Sequence, residues 1–130
     1  AKGADILVTT TPSASPILLQ DWLEPGQHVT AMGSDAEFKN ELDPAIISHT
    51  SLYVADSLPQ TTRLGELHHA LESGLSIDPS RSTELGAVLN GNYSDRRSSN
   101  DITVADLTGT GVQDTIIATM AYDLWEKTTL

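Results

Sequence analysis

At 130 residues, with 38% hydrophobic but only 5% aromatic side chains, the chain has the size of one domain and a core of Leu, Ile, Val and Ala. Its formal charge of −11, from 7 basic and 18 acidic side chains, repels phosphate backbones and anionic lipid, which argues against nucleic-acid and membrane partners. With no cysteine, disulfides, thiolate catalysis and Cys-based zinc sites are excluded, and a reducing cytoplasm is the expected location.

Ala1-Lys2-Gly3-Ala4-Asp5 is not a signal peptide, and no apolar run has the length of a membrane span. The chain runs almost at once into Ile6-Leu7-Val8, a short apolar run of the kind found in strands buried on both faces, and the polar Thr9-Thr10-Thr11-Pro12-Ser13 ends it. So abrupt a start is expected of a cut made inside a larger domain. Pro16 to Trp22 reads as a helical turn or an edge strand, and Glu24-Pro25-Gly26 is a turn signal. His28 to Met32 is predicted as the second strand, closed by Gly33-Ser34-Asp35. Phe38, Leu42, Ile46 and Ile47 recur at near-helical spacing, so residues 36–48 are predicted helical, with a break or a fresh first turn at Pro44.

Ser51 to Asp56 is predicted as the third strand. A helix follows over Thr61–Ser73, with Leu64, Leu67 and Leu71 on one face and Gly74 beyond its end. A shorter helix is predicted over Thr83–Leu89, capped by Ser82 or Thr83 and followed by Gly91. After the polar loop 92–101, Ile102 to Asp106 is the fourth strand. Thr108-Gly109-Thr110-Gly111 then turns into a final helix from Val112 to about Thr128. Strands that alternate with helices predict an α/β fold: a mostly parallel, Rossmann-like sheet flanked by helices, with a long C-terminal helix. In such a sheet the strand ends share one edge, where ligands bind. All four predicted ends are polar and rich in turn residues: Thr9–Ser13, Gly33–Asp35, Asp56–Ser57 and Asp106–Gly111.

Met32-Gly33-Ser34-Asp35-Ala36-Glu37-Phe38-Lys39 is the most chemical of these stretches. A carboxylate at Asp35 can shuttle a proton or hold an ammonium group, and Lys39 can reach a phosphate or ribose; equally, Asp35 can cap a following helix with Lys39 as its solvated partner. The hydroxyls of Thr9, Thr10 and Thr11 can meet a ribose or nicotinamide edge, or satisfy local backbone groups. Asp106 to Asp114 reads as a tight βα turn with Thr110 near the cap, or as a helix N-terminus whose backbone N–H groups favour an anion, although the acid at Asp114 would repel a phosphate. It is not a dinucleotide fingerprint, because Asp114 occupies the third glycine position. Arg63, Glu66, His68 and His69 are read as a solvated helical face; Glu66 and His69 form only one carboxylate–histidine pair, so no metal is expected. Arg96 and Arg97 are read as solvent-facing or paired with local acids, and Trp22 and Trp125 as packing or interface residues. G-x-G-x-x-G, the Walker loop, the nucleophile elbow and HExxH are all absent.

The run Glu24-Pro25-Gly26-Gln27-His28-Val29-Thr30-Ala31-Met32-Gly33-Ser34-Asp35, then Lys39-Asn40-Glu41-Leu42, resembles a segment of the ornithine cyclodeaminase/mu-crystallin family. The order continues through Arg63-Leu64-Gly65-Glu66, Glu84-Leu85-Gly86, Gly91, Ile102 to Asp106, Gly109 and Val112-Gln113-Asp114, over essentially the whole chain. Ala31 to Glu37 and Asp106 to Asp114 look most like the family's ectoine-utilisation branch.

This resemblance implies that residues 1–130 are the C-terminal part of a dinucleotide-binding domain without its glycine-fingerprint half. It implies NAD or NADP as cofactor and a small amino acid or imine as substrate; the exposed strand edge that a truncated parallel sheet leaves predicts a homodimer or higher oligomer. By the same resemblance Asp35 falls on the catalytic aspartate, and Thr11, Met32, Gly33, Ser34 and Lys39 fall on cofactor-contacting positions. A late serine contact falls on Leu107, with Thr108 as its substitute. The expected function is that of a fragment of a cyclodeaminase-like oxidoreductase or lyase, inactive alone. The alternative is a truncated, non-catalytic family remnant with a binding or self-association role.

Overall fold

The structure is a computed structural model that describes residues 1–93 and 98–129. Five strands, β1 (Ile6–Thr9), β3 (His28–Ala31), β5 (Leu52–Ala55), β6 (Ser82–Glu84) and β7 (Thr103–Asp106), form one sheet in the order β1-β3-β7-β5-β6, and every pairing is parallel. All four strands expected from the sequence are there, with β6 added at the far edge. Two further strands, β2 (Ala14–Leu18) and β4 (Asn40–Leu42), pair in parallel as a separate ribbon. The stretch from Pro16 to Trp22 is thus both things that it suggested: most of β2, then a 3-10 turn over Gln20–Trp22.

The register explains where the core lies. Leu7, Val29, Val104 and Tyr53 form one cross-sheet row, and Thr9, Ala31, Asp106 and Ala55 another. Side chains alternate along a strand, so both rows face the same side. There Val29, Ala31, Tyr53, Ala55 and Val104 meet Leu18, Leu42, Ile46, Ile47, Leu67 and Ala70 in one buried cluster. The alternate rows are less covered. Ile6 and Val8 remain 64% and 57% exposed, which corrects the reading of β1 as buried on both faces; it is an edge strand covered on one.

The helices depart from the sequence reading at three places. Residues 36–48 are not one helix: a turn leads into β4, and α1 (Pro44–His49) begins afresh with Pro44 in its first turn and the Asp43 carboxylate accepting from the Ala45 N–H. Asp35 therefore caps no helix, and Lys39 sits just ahead of a strand. The helix expected over Thr61–Ser73 is two, α2 (Leu58–Leu64) and α3 (Glu66–Glu72), parted at Gly65, where an added Cβ would stand 2.7 Å from an Asp106 carboxylate oxygen. The helix expected from Thr83 starts later as α4 (Leu85–Leu89), because Ser82 and Thr83 are drawn into β6; neither caps it, and Glu84 takes the cap position without a side-chain bond.

α5 (Gly111–Thr129) follows the sequence expectation, but every described side chain on it is exposed. Val112, Ile116, Ile117, Met120, Tyr122, Leu124 and Trp125 are among them. Trp22 is exposed as well, so neither tryptophan packs into this core. Arg96 and Arg97 lie outside the described residues. Among the described residues no helix is long and apolar enough to cross a membrane.

Candidate functional site

Because all five strands are parallel, the four polar strand ends singled out in the sequence do share one edge. They are joined there by hydrogen bonds. Met32 N–H donates to the Thr9 carbonyl at 2.9 Å and Leu107 N–H to the Ala31 carbonyl at 2.8 Å, linking β1 to β3 and β3 to β7. Asp56 N–H donates to the Asp106 carbonyl at 3.2 Å, linking β5 to β7.

The rim is held by carboxylates as much as by the ladder. The fully buried Glu41 accepts from Thr11 N–H at 2.5 Å and from Gly33 N–H at 2.9 Å. Buried Glu66 accepts from Glu41 N–H at 2.9 Å and Leu42 N–H at 3.1 Å. Asp106, also buried, accepts from the Tyr53 hydroxyl at 2.7 Å and from Leu67 N–H at 3.1 Å. Asp56 accepts from Ser57 N–H, the Thr108 hydroxyl and Gly109 N–H at 2.7–3.0 Å, and so ties the end of β5 to the turn after β7. Glu66 is therefore not on a solvated face, which corrects that reading.

Burial sets the protonation of Glu66 and Asp106. Loss of water pushes the Glu66 carboxyl up to about 8, against the pull of its two backbone donors. Burial likewise raises Asp106 to about 7, with the Tyr53 hydroxyl and backbone N–H groups pulling the other way and nearby Asp56 adding to the rise. Tyr53 is raised well beyond its ordinary value, by burial first and then by the Asp106 charge, so it remains a donor.

Asp35 stands apart from these braces. It is exposed, and Lys39 Nζ lies 2.5 Å from one of its oxygens. The hydrogen bond to Lys39, together with that ammonium's charge, holds the Asp35 carboxyl below its ordinary value, so it is ionised at neutral pH. The loop between the two is pinned at the Lys39 carbonyl, which accepts from Ser34 Oγ and, at 2.6 Å, is met by His69 Nε2. Ser34 is buried there, whereas Met32 is half exposed. Gly33 is required by its surroundings: an added Cβ would stand 2.3 Å from both the Thr11 carbonyl oxygen and Glu41 Cδ.

The structure thus gathers Thr11, Met32, Gly33, Ser34, Asp35 and Lys39 at the ends of β1 and β3. Thr108 sits across the rim, buried, its hydroxyl donating to Asp56 and accepting from Gln60 Nε2 at 2.9 Å. Of the threonine trio, Thr9 has a buried hydroxyl without a partner, and Thr11 accepts from Ser13 N–H at 3.3 Å.

Sequence reasoning did not find the bracing roles of Glu41, Glu66, Asp56 and Tyr53. The available signal was a set of acids in apolar surroundings, Glu41-Leu42 and Glu66-Leu67, which a solvated face does not need. Two other features carry less chemistry. A cleft of about 550 Å³ opens at the opposite edge, by Asp5, Glu24 and His28. His68, His69 and Glu72 place ligating atoms within 4.8 Å of one another, but His69 Nε2 is engaged by the Lys39 carbonyl and His68 Nδ1 lies 3.3 Å from the Thr62 carbonyl.

The residues suit a planar ring beside an amine: an exposed Thr11, an apolar Met32 and an ionised Asp35 at the ends of β1 and β3. An uncharacterised cyclodeaminase of Sinorhizobium fredii is 62% identical over 126 residues, covering 97% of this chain and 38% of that protein. The solved structure of a dimeric archaeal alanine dehydrogenase with bound NAD superposes with a TM-score of 0.88 at 34% identity, over 97% of this chain and 39% of that one. The iminosuccinate reductase of Paracoccus denitrificans in complex with NAD⁺ gives a TM-score of 0.86 at 35% identity, over 96% and 38%. The chain thus spans less than two-fifths of the length of these relatives. With the model of the ornithine cyclodeaminase/mu-crystallin family matching residues 1–129, the chain belongs to that family.

Proposed function

We propose that residues 1–130 form the nicotinamide-facing part of a dinucleotide-binding domain, in an NAD(P)-dependent oxidoreductase or lyase acting on a small amino acid or its imine. The observation that carries this reading is an exposed, ionised Asp35 on a rim of parallel strand ends, beside the apolar Met32 and the tightly approached Gly33. When bound, the nicotinamide would supply the hydride. Thr11 and Met32 would line its ring, Gly33 and Ser34 would hold the loop beneath it, Asp35 would hold the substrate nitrogen as an ammonium or iminium, and Lys39 would keep Asp35 ionised until the substrate displaces it.

The 130 residues contain no G-x-G-x-x-G, so nothing here cradles a pyrophosphate in the usual way. The chain by itself is expected to bind NAD⁺ or NADP⁺ only weakly, with Kd on the order of 1 mM, and to turn nothing over. A titration followed by amide shifts tests this. Shifts confined to Thr11, Met32–Asp35 and Thr108 agree with the reading; shifts centred on the opposite edge, or micromolar affinity, contradict it.

A second reading, a non-catalytic remnant acting by self-association, is favoured by the exposed apolar side chains of α5 and of edge strand β1. Both readings expect a homodimer or higher oligomer. Multi-angle light scattering at about 100 μM is expected to give at least twice the 13.9 kDa chain mass, and a clean monomer would count against it.

A further inference from the structure

We propose that Glu41 is a positioning residue: its carboxylate fixes the spacing between the ends of β1 and β3 where the strand ladder has run out. The inference rests on the nicotinamide reading above for its purpose, and on hydrogen bonds alone for its geometry. The β1–β3 register ends at Thr9↔Ala31, and the next link, Met32 N–H to the Thr9 carbonyl, is the last backbone bond between them. β1 lies at the sheet edge, so only β3 flanks it. Beyond that point Thr11 and Gly33 each aim an N–H at a different oxygen of one carboxylate, 2.5 and 2.9 Å away.

A carboxylate suits this task because it alone among side chains offers two acceptor oxygens on a rigid fork and no donor. Gln would present an NH₂ to one of the two N–H groups, and Asp falls one methylene short. The side chain is fully buried, so water does not compete for its oxygens. Its backbone is fixed in turn, since Glu41 N–H and Leu42 N–H end on Glu66. Gly33 completes the device, for any side chain there would meet the carboxylate and the Thr11 carbonyl. The fork therefore sets the gap between Thr11 and Gly33, and through Ser34 the height at which Asp35 stands.

Amide exchange read residue by residue in the wild-type chain and in Glu41→Gln tests this. In the wild type, Thr11 and Gly33 amides are expected downfield-shifted and protected, although Thr11 itself is exposed. In Glu41→Gln, one of the two is expected to lose about tenfold or more of its protection, while Tyr53 and Val104 in the central strands keep theirs. NAD⁺ affinity is expected to fall about fivefold or more at unchanged pH, as lost preorganisation would cause. Uniform loss across all strands would overturn the proposal by making Glu41 a general stability residue. Full retention of both protections and of affinity would overturn it too. If Glu41→Gln fails to fold, the wild-type amides decide: rapid exchange at Thr11 and Gly33 refutes the fork. A wild type that binds no nucleotide at the rim counts against the nicotinamide reading alone, and the amides still judge Glu41.

Discussion

Replacing Glu66 by Ala is expected to destabilise the chain by about 3–5 kcal/mol, a loss seen in urea denaturation followed by far-UV circular dichroism. Two effects add. Glu41 N–H and Leu42 N–H both end on the Glu66 carboxylate, and both would be left buried without an acceptor, at about 1–3 kcal/mol each. Removal of the side chain also leaves a void between α3 and β4 that the surrounding Leu42 and Leu67 fill only in part. At the lower end of a total stability of about 5–15 kcal/mol this is enough to unfold a sizeable fraction of the chain. Glu66→Gln keeps one acceptor and is expected to cost about 1–2 kcal/mol. Glu72→Ala is the control on the same helix. Its side chain is 65% exposed and only faces His68 at 3.5 Å, so the change is expected to stay within about 0.5 kcal/mol. A Glu66→Ala loss no larger than that of Glu72→Ala would return Glu66 to the solvated face that its helical spacing suggests.

That contrast marks how far the sequence could be read. Apolar runs with turn residues behind them located β1, β3, β5 and β7, and parallel order followed from the helices between them, so the rim and Asp35's place on it were legible. The family resemblance added Thr11, Met32, Gly33, Ser34 and Lys39 as expected cofactor contacts. What could not be read depends on contacts between residues far apart in the chain. Asn40–Leu42 has helical spacing with Phe38 and Ile46, yet it becomes a strand because β2 and Glu66 take its backbone N–H groups. Gly65 looks like an ordinary weak point in one helix; it is a break because Asp106, 41 positions later, needs that space. Glu66 and His69 share one helix face by spacing, but one ends on β4 and the other on the Lys39 carbonyl. Periodicity carries no information about such partners, and a buried acid differs from a solvated one only through them.

The same buried acids set how stability responds to pH, and the thermal midpoint is expected to fall as pH rises from 5.5 to 8. The Asp106 carboxyl sits near 7 and Glu66 near 8 in the folded chain, against ordinary values of 3.8 and 4.5. Both are raised, so the folded state binds more protons than the unfolded state between about pH 4 and 8. Their contribution is complete below about pH 4, where both states are protonated. It is lost as pH climbs through the folded values, because an acid that is cheap to ionise in water must then ionise in the core. One such group changes stability by about 1.4 kcal/mol per pH unit inside its window. The two together are expected to remove about 5 kcal/mol between pH 5.5 and 8, or roughly 15–20 °C of midpoint for a domain of this size.

Asp35 and Asp78 act in the opposite sense, since their folded values are lowered, but only in acid below this range. The net charge of −11 pushes the same way as the buried pair, and salt separates the two. Repulsion among surface carboxylates is screened at about 0.5 M NaCl, whereas the cost of ionising Asp106 or Glu66 in the interior is not. Scanning calorimetry at pH 5.5 and 8 in high salt should therefore retain most of the drop. Asp106→Asn should flatten part of it, because the amide still accepts from Tyr53 and no longer titrates. A midpoint that holds level or rises toward pH 8 in high salt would mean that Glu66 and Asp106 are ionised in the folded chain throughout, balanced by the N–H groups and the Tyr53 hydroxyl that they accept from.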